Sequence, residues 1–336
     1  MGKEKISIFC QAPGDVIHTL ALYHKYRDKA DISIYCINVK VIFEFIKSLN
    51  LELKQLEFIP YDINFSIKKP LSIFSARRQI WQRFNKLFRA KNNETIYFFA
   101  IWFDWYSFFF LSQLSSKNKL VFYKHYQSVT EEGKKKYTLK EKIVLLQYHI
   151  ITGLKLQFTD EKTVKRLLFP YQEYGIASQQ PIDIKQNLFK SYLYKTKNNS
   201  EKSILFFESD LEKYQLFSNY KVEIKIIIQA VQSQGFTVFV KGHPSLGVTK
   251  EIEEICNFTI PKEIPAELID VSPFSCVLGI QSFSMAYFAK EKHKVVSLVH
   301  LLSFVNDSDK KMYIDYLNVN SNHKIEYPKN ISDLCL

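Results

Sequence analysis

Short apolar runs alternate with longer amphipathic stretches along most of the chain. In the first half these runs predict strands at residues 5–10, 32–37, 56–59, 95–99, 120–123 and 155–158. The stretches between them have helical spacing, which predicts helices at residues 16–26, 41–49, 77–89, 102–114 and 139–151. Such an alternation predicts a parallel sheet with helices on its faces.

The pattern starts again in the second half. It predicts strands at residues 203–207, 237–240, 258–260, 276–278 and 294–298, and helices at residues 220–234, 265–271 and 283–290. Periodicity is lost over residues 171–203, which predicts a linker. We therefore predict an α/β protein with Rossmann-like domains at residues 1–180 and 203–336, joined by a linker over 181–202. Two such halves match the GT-B arrangement, whose active site lies in the inter-domain cleft.

The composition narrows the class of protein. The chain has 336 residues with 46% apolar and 15% aromatic side chains, which is ample for packed cores. Residues 98–114 are very apolar, but Asp104 interrupts them, so we predict no membrane-spanning helix. The scattered cysteines and the absence of a recognisable signal peptide favour a cytoplasmic protein without a zinc site.

The net charge of +12 has two interpretations. A lysine-rich solvated surface explains it, and so does attraction to an anionic partner. No nucleic-acid-binding module is recognisable, so we expect no nucleic-acid partner. An acidic glycan or an anionic membrane surface remains, and the latter predicts peripheral association with the inner face of the inner membrane.

A Gly-His-Pro turn directly follows one predicted strand. The strand over residues 237–240 continues into Lys241, Gly242, His243 and Pro244. In an open α/β sheet, residues at the carboxyl end of a strand face the ligand crevice. His243 can donate a hydrogen bond to a phosphate or protonate it as it leaves. The alternative is a loop histidine bonded to its own backbone.

A second predicted strand, at residues 276–278, ends in a similar way. Gly279 closes the strand, and Ser282 and Ser284 stand at the start of the next predicted helix. Hydroxyls and backbone N–H groups at a helix start bind phosphate oxygens, although the same serines can simply cap the helix. Together with His243 they form a candidate phosphate clamp, which indicates a nucleotide-linked donor.

Acidic residues at two places are candidates for other roles. Glu131, Glu132 and Gly133 follow the predicted strand at residues 120–123. One of these carboxylates can act as a general base, although an exposed acidic pair is the alternative. Glu267 stands at a predicted helix start, where an acid can hold a ribose diol. Its alternative role is a favourable interaction with the helix dipole.

Other cofactor motifs are missing from the sequence. Neither GxGxxG nor a Walker A motif occurs, which argues against NAD-dependent oxidoreductases and P-loop enzymes. No acidic cluster with the spacing of a divalent-metal site stands out. We therefore expect chemistry that needs neither a metal nor a cofactor.

The candidate motifs have a recognisable order, which is Glu131-Glu132-Gly133, His243-Pro244, Glu267, and Ser282 with Ser284. This set resembles the bacterial sialyltransferases, including the polysialyltransferases and the lipooligosaccharide sialyltransferase family. Those families carry Asp/Glu-Asp/Glu-Gly in the N-terminal half, then His-Pro and Ser-Ser/Thr in the C-terminal half. The chain departs from the last motif, because Phe283 stands where the second hydroxyl is expected.

The resemblance implies a GT-B enzyme that inverts the anomeric carbon and needs no metal. Its implied donor is a CMP-activated nonulosonic acid, either sialic, legionaminic or pseudaminic acid. Its implied acceptor is a glycan or lipid-linked oligosaccharide of bacterial surface polysaccharide synthesis. Glu131 or Glu132 then acts as the base, and His243 assists the leaving phosphate. The other implied donor-site residues are Gly133, Lys241, Gly242, Pro244, Glu267, Gly279, Ser282 and Ser284.

Two further interpretations of the sequence stay open. The nearer one is another GT-B enzyme, such as a UDP-sugar transferase or a nucleotide-sugar epimerase. The more distant one is a basic protein without catalytic activity that binds anionic lipid or nucleic acid. A preference for UDP over CMP indicates the first, and steeply salt-dependent binding without nucleotide recognition indicates the second.

Overall fold

The computed structural model describes residues 3–66, 69, 71–99, 104–124, 138–155, 165–166, 168–174, 192–196, 202–208, 215–244 and 246–334. These residues form two compact units, one within residues 3–174 and one within residues 192–334. The predicted linker limits stay predictions, since most of residues 175–202 lie outside this part of the chain.

The first unit contains a parallel sheet. Its described strands are β1 Glu4–Cys10, β2 Ala30–Ile37, β3 Gln55–Ile59, β4 Thr95–Phe98, β5 Lys119–Tyr123 and β6 Gln172–Tyr174. They stand in the order β3-β2-β1-β4-β5-β6, and every pair is parallel. Parallel strands require crossover connections, which here are helical.

Two of the described helices in the first unit begin at side-chain caps. Its described helices are α1 Val16–Tyr26, α2 Lys40–Ser48, α3 Leu71–Phe88, α4 Trp105–Leu114 and α5 Leu139–Thr152. Asp104 caps α4 by accepting hydrogen bonds from the backbone N–H groups of Tyr106 and Ser107, each at 3.2 Å. Thr138 and Glu141 form a capping box at the start of α5, and Gly153 ends this helix with a φ of 75°.

The second unit contains another parallel sheet. Its described strands are β7 Ser203–Phe207, β8 Thr237–Lys241, β9 Phe258–Thr259, β10 Cys276–Gly279 and β11 Val295–Ser297. Their order is β11-β10-β7-β8-β9, and all pairs are parallel. Its described helices are α6 Tyr220–Ser233, α7 Lys250–Glu253, α8 Phe283–Lys290 and α9 Asp307–Ser321.

The strand order reverses direction within the second sheet. From β7 the chain continues to β8 on one side and returns to β10 on the other, so the direction reverses between β7 and β10. Ligands of open α/β sheets bind at the carboxyl ends of the strands at such a reversal. Phe207 is in register with both Lys241 and Gly279, so all three lie in one row at that edge.

The prediction of two α/β units with parallel sheets is confirmed, and the differences concern single elements. β6 lies in the predicted first domain, within the segment 171–203 where periodicity is lost and where no strand was predicted, and it pairs with β5. The predicted strand at residues 155–158 lies largely outside the described residues. α4 begins at Trp105, later than predicted, since the carboxylate of Asp104 caps it.

Two helix predictions also needed correction, and α7 and α9 were not predicted. α3 begins at Leu71 rather than at residue 77, because Ile73 and Ala76 continue its buried face. Residues 265–271 form only a 3-10 turn, Ala266–Leu268, since Ile269 returns to extended backbone. In the described part of the chain, no helix is both long and apolar enough to cross a membrane.

Candidate functional site

The Gly-His-Pro turn is a small closed loop at the end of β8. The N–H of His243 donates to the Gly247 carbonyl at 3.0 Å, and the N–H of Gly247 donates to the His243 carbonyl at 2.8 Å. A Cβ on Gly242 would lie 2.2 Å from the Gly247 carbonyl oxygen, so only glycine fits at position 242. Gly247 has a φ of 78°, which glycine adopts without strain. The loop therefore holds the partly exposed His243 and Pro244 at the carboxyl edge of the sheet.

Lys241 lies beneath this loop and is 1% exposed. Its Nζ donates to the carbonyl oxygens of Gly242 at 3.0 Å and of Lys262 at 3.3 Å. Burial lowers the pKa of Lys241 to about 8, although the nearby carboxylates of Glu267 and Glu263 favour its charged form. The ammonium therefore acts within the fold, where it supports the loop and balances the charge of Glu267.

Glu267 and Ser284 form a buried pair. The hydroxyl of Ser284 donates to Oε1 of Glu267 at 2.8 Å, and each residue is 6% exposed. Glu267 lies in the 3-10 turn that precedes β10, whereas Ser284 lies in the first turn of α8. The hydrogen bond fixes the orientation of the carboxylate, so Ser284 acts here as a positioning residue.

Ser282 has a different position from Ser284. It is the N-cap of α8, where its Oγ accepts a hydrogen bond from the backbone N–H of Ser284 at 3.2 Å. Ser282 is partly exposed. α8 packs closely against Gly279, because a Cβ at position 279 would lie 2.6 Å from Sδ of Met285. The partly exposed Ser282 and the N-terminus of α8 are suited to contact an anion.

Three loops of the second unit thus supply the predicted donor-site residues. The first loop follows β8, the second precedes β10, and the third follows β10. Glu267 interacts with the charge of Lys241 and accepts a hydrogen bond from Ser284. Ser282 joins this set through the backbone of Ser284. Glu131, Glu132 and Gly133 lie outside the described residues, so the predicted general base stays a prediction.

Glu208 is a candidate site residue that belongs to none of the sequence motifs. It follows β7 and is 6% exposed. Its carboxylate accepts from the backbone N–H of Thr249 at 2.7 Å and from the Thr249 hydroxyl, while its own N–H donates to the Lys241 carbonyl at 3.1 Å. The sequence signal that could have indicated Glu208 is its position as an acidic residue directly after the buried strand β7. Glu208 connects the strand at the reversal with the segment that leads into α7.

Metal-independent chemistry also stays a prediction. Among the described residues, no group of three or more His, Cys, Asp and Glu side chains is arranged to hold a metal ion. The sequence expectation that no acidic residues have divalent-metal spacing was wrong in one respect, because Asp307 and Asp309 are separated by one residue, as in metal-binding Asp-x-Asp motifs. Both lie in the first turn of α9, where acidic side chains interact favourably with the helix N-terminus.

Three solved structures are similar to this chain over most of its length. A protein from Listeria monocytogenes assigned as a UDP-N-acetylglucosamine 2-epimerase has 10% identity and a TM-score of 0.50, covering 96% of this chain and 91% of its own. The UDP-bound S. aureus MnaA has 10% identity and a TM-score of 0.48, with coverages of 98% and 94%. Arabidopsis thaliana UGT89C1, complexed with UDP-L-rhamnose, has 12% identity and a TM-score of 0.47, with coverages of 97% and 85%.

The comparisons support the fold prediction only. No model of a protein family and no curated protein matches the sequence. The likeness to the Listeria protein extends over nearly the whole chain and confirms the GT-B fold. At 10% identity it shows the fold and leaves the reaction open.

Proposed function

We propose that this chain is an enzyme of nucleotide-activated sugars that transfers a nonulosonic acid from CMP to a glycan or a lipid-linked oligosaccharide. One observation carries the proposal. The carboxyl edge of the second sheet brings the His243 loop, the buried pair of Glu267 and Ser284, and the Ser282 helix cap to the strand reversal. A nucleotide needs such a combination of phosphate and ribose contacts.

Each part of this edge suits one part of a nucleotide. In the proposal, Ser282 and the N-terminus of α8 bind the phosphate, and His243 donates a hydrogen bond to it. Glu267 accepts from the ribose in the orientation that Ser284 fixes. The buried ammonium of Lys241 offsets the cost of keeping this carboxylate ionised away from water.

The proposed reaction is a single displacement. The acceptor hydroxyl oxygen attacks the anomeric carbon of the nonulosonic acid while the bond from this carbon to the phosphate oxygen of CMP breaks. Glu131 or Glu132 takes the acceptor proton, and CMP leaves with the bonding electron pair. His243 and Ser282 stabilise the charge that develops on the leaving phosphate. Because attack and departure occur on opposite faces, the configuration inverts.

A UDP-sugar transferase or epimerase is the second candidate. The Listeria structure favours it, because that protein is assigned as a UDP-N-acetylglucosamine 2-epimerase. The motif order favours CMP, since it matches the sialyltransferase pattern at His243, Pro244 and Ser282. Both candidates place the nucleotide at the same edge, so the base of the nucleotide distinguishes them.

Turnover measurements test the proposal. The wild-type protein is incubated with CMP-N-acetylneuraminic acid, CMP-legionaminic acid or CMP-pseudaminic acid and a panel of glycan acceptors, and CMP release is measured. We expect His243→Ala to lower kcat by about 10²-fold, and Glu131→Gln or Glu132→Gln to lower it as the base is lost. The control is His323→Asn, since His323 is exposed and asparagine tolerates its φ of 57°.

The outcomes separate the candidates. Acceptor-dependent CMP release that falls about 10²-fold in His243→Ala and is preserved in His323→Asn supports the proposal. Conversion of UDP-N-acetylglucosamine without any use of the CMP-linked sugars supports the second candidate. Wild-type turnover of a CMP-linked sugar by His243→Ala would refute the assigned role of His243.

A further inference from the structure

The first unit exposes apolar side chains on two helices. Leu71 on α3 is 79% exposed, Leu139 on α5 is 75% exposed, and Phe74 on α3 is 64% exposed. These are the three most exposed large apolar side chains in the part of the chain that the structure describes. Exposed apolar residues grouped on neighbouring elements indicate an interaction surface.

The exposed residues recur at helical spacing. Leu71, Phe74 and Arg78 share one face of α3, while Leu139, Ile143 and Leu146 share one face of α5. The two helices pack against each other. Nη1 of Arg77 donates to the Ile150 carbonyl at 2.7 Å, which ties α3 to α5. We call the exposed side of these two helices the α3–α5 surface.

The charges on this surface have mostly one sign. Exposed cations on the two helices are Arg77, Arg78, Lys140 and Lys142, and the exposed Lys69 lies just before α3. α3 contains no acidic residue, and the single acid of α5, Glu141, is bonded to Thr138 in the capping box. Apolar side chains beside an excess of Lys and Arg are typical of helices that lie in the interface of an anionic bilayer.

We propose that the α3–α5 surface docks the protein onto an anionic phospholipid bilayer. Leu71, Phe74 and Leu139 enter the boundary between headgroups and acyl chains, and the flanking cations contact the phosphates. A second copy of this chain is a poorer partner, because a two-fold contact would bring the cations of both copies together. The inference is independent of the nucleotide that the enzyme uses.

The second unit offers an internal comparison. Val222 and Ile226 on α6 are 59% and 51% exposed, and they also share one helix face. Of the lysines beside them, Lys221 is paired with Glu251 at 2.6 Å. α6 thus exposes a similar apolar pair without the same excess of cations, so it provides the matched control.

Vesicle sedimentation tests the proposal. The full chain is mixed with phosphatidylcholine vesicles, and with vesicles that contain phosphatidylglycerol in addition. We expect binding only to the latter, with a loss at high salt. The double variant Leu71→Ser, Phe74→Ser should lower the partition coefficient at least ~10-fold, because it removes apolar surface from the bilayer. Replacing Arg78, Lys140 and Lys142 by glutamine should lower the coefficient by about five-fold for each cation that is lost. Val222→Ser with Ile226→Ser should leave the coefficient unchanged.

A fluorescence probe keeps the test independent of folding defects. Phe74→Trp should show a blue-shifted emission with anionic vesicles, whereas Ile226→Trp should not. Equal loss of binding in both serine pairs, or no blue shift at position 74, would overturn the proposal. So would a dimer in solution that dissociates in the Leu71→Ser, Phe74→Ser variant, since the surface would then belong to a second copy.

Discussion

Replacing Lys241 by methionine removes an ammonium group that the second unit holds in its interior. The side chain is 1% exposed, and burial lowers its pKa from the ordinary 10.5 to about 8. The unfolded chain therefore binds more protons than the folded chain between these two pH values. The free energy of unfolding of the wild type should consequently rise with pH across this window.

The size of the effect follows from the two pKa values. Below pH 8 the full cost of protonating Lys241 in the interior is present, and this cost disappears as the pH approaches 10.5. Integration between pH 7.5 and 9.5 gives a gain of about 2 kcal/mol for the wild type from this residue. Lys241→Met lacks the titrating ammonium group, so the variant does not show this gain in the free energy of unfolding.

Urea unfolding at several pH values measures the difference. We expect the stability of Lys241→Met relative to wild type to fall by about 2 kcal/mol between pH 7.5 and 9.5. Lys262→Met is the control, because Lys262 is exposed and its carbonyl contact with Lys241 remains. Parallel pH profiles for wild type and Lys241→Met would refute the reasoning, as would an equal change in the control.

The remaining predictions concern stability and are measured by urea unfolding. Gly242→Ala should lower the free energy of unfolding by about 2 kcal/mol, since the new Cβ would lie 2.2 Å from the backbone oxygen of Gly247. A variant as stable as the wild type would contradict the close packing of this loop. Ser284→Ala should lower the free energy of unfolding by about 1–3 kcal/mol, because the buried Glu267 carboxylate loses the hydrogen bond from the Ser284 hydroxyl. Lys91→Met should lose about 3–5 kcal/mol, since Glu94, 7% exposed, loses the partner at 3.0 Å. An unchanged midpoint in either variant would contradict the assigned contact.

Polar residues at both ends of an apolar segment made several elements predictable. The limits predicted for α1, at residues 16–26, and for α8, at residues 283–290, agree with the structure. β7 also has its predicted limits. Asp15, Ser282 and Lys202 precede these segments, and a charged residue follows each of them.

Elements with weak patterns could not be predicted. α9 buries Tyr313 and Leu317 but also Asn320 and Ser321, so its buried face does not appear as an apolar stripe. β6 has only three residues and lies at the sheet edge. Its pairing with β5 depends on tertiary contact, which local sequence does not record.

The candidate site shows the same limit. Sequence order placed Lys241, Glu267 and Ser284 at loops near the expected crevice. It did not show that Lys241 is buried, or that Ser284 donates to Glu267 while Ser282 caps the helix. These roles depend on the relative positions of three loops, and such positions arise from the packing of the sheet.

Calorimetric titration with nucleotides tests whether the carboxyl edge of the second sheet binds CMP. CMP, UDP, GDP and AMP are titrated into the wild-type chain, into His243→Ala and into His323→Asn. We expect selective binding of CMP, which weakens in His243→Ala and is preserved in His323→Asn. Preference for UDP would contradict the CMP donor and favour the second candidate. Absence of heat with all four nucleotides, confirmed by unchanged melting temperatures, would contradict a nucleotide site at the carboxyl edge of the second sheet.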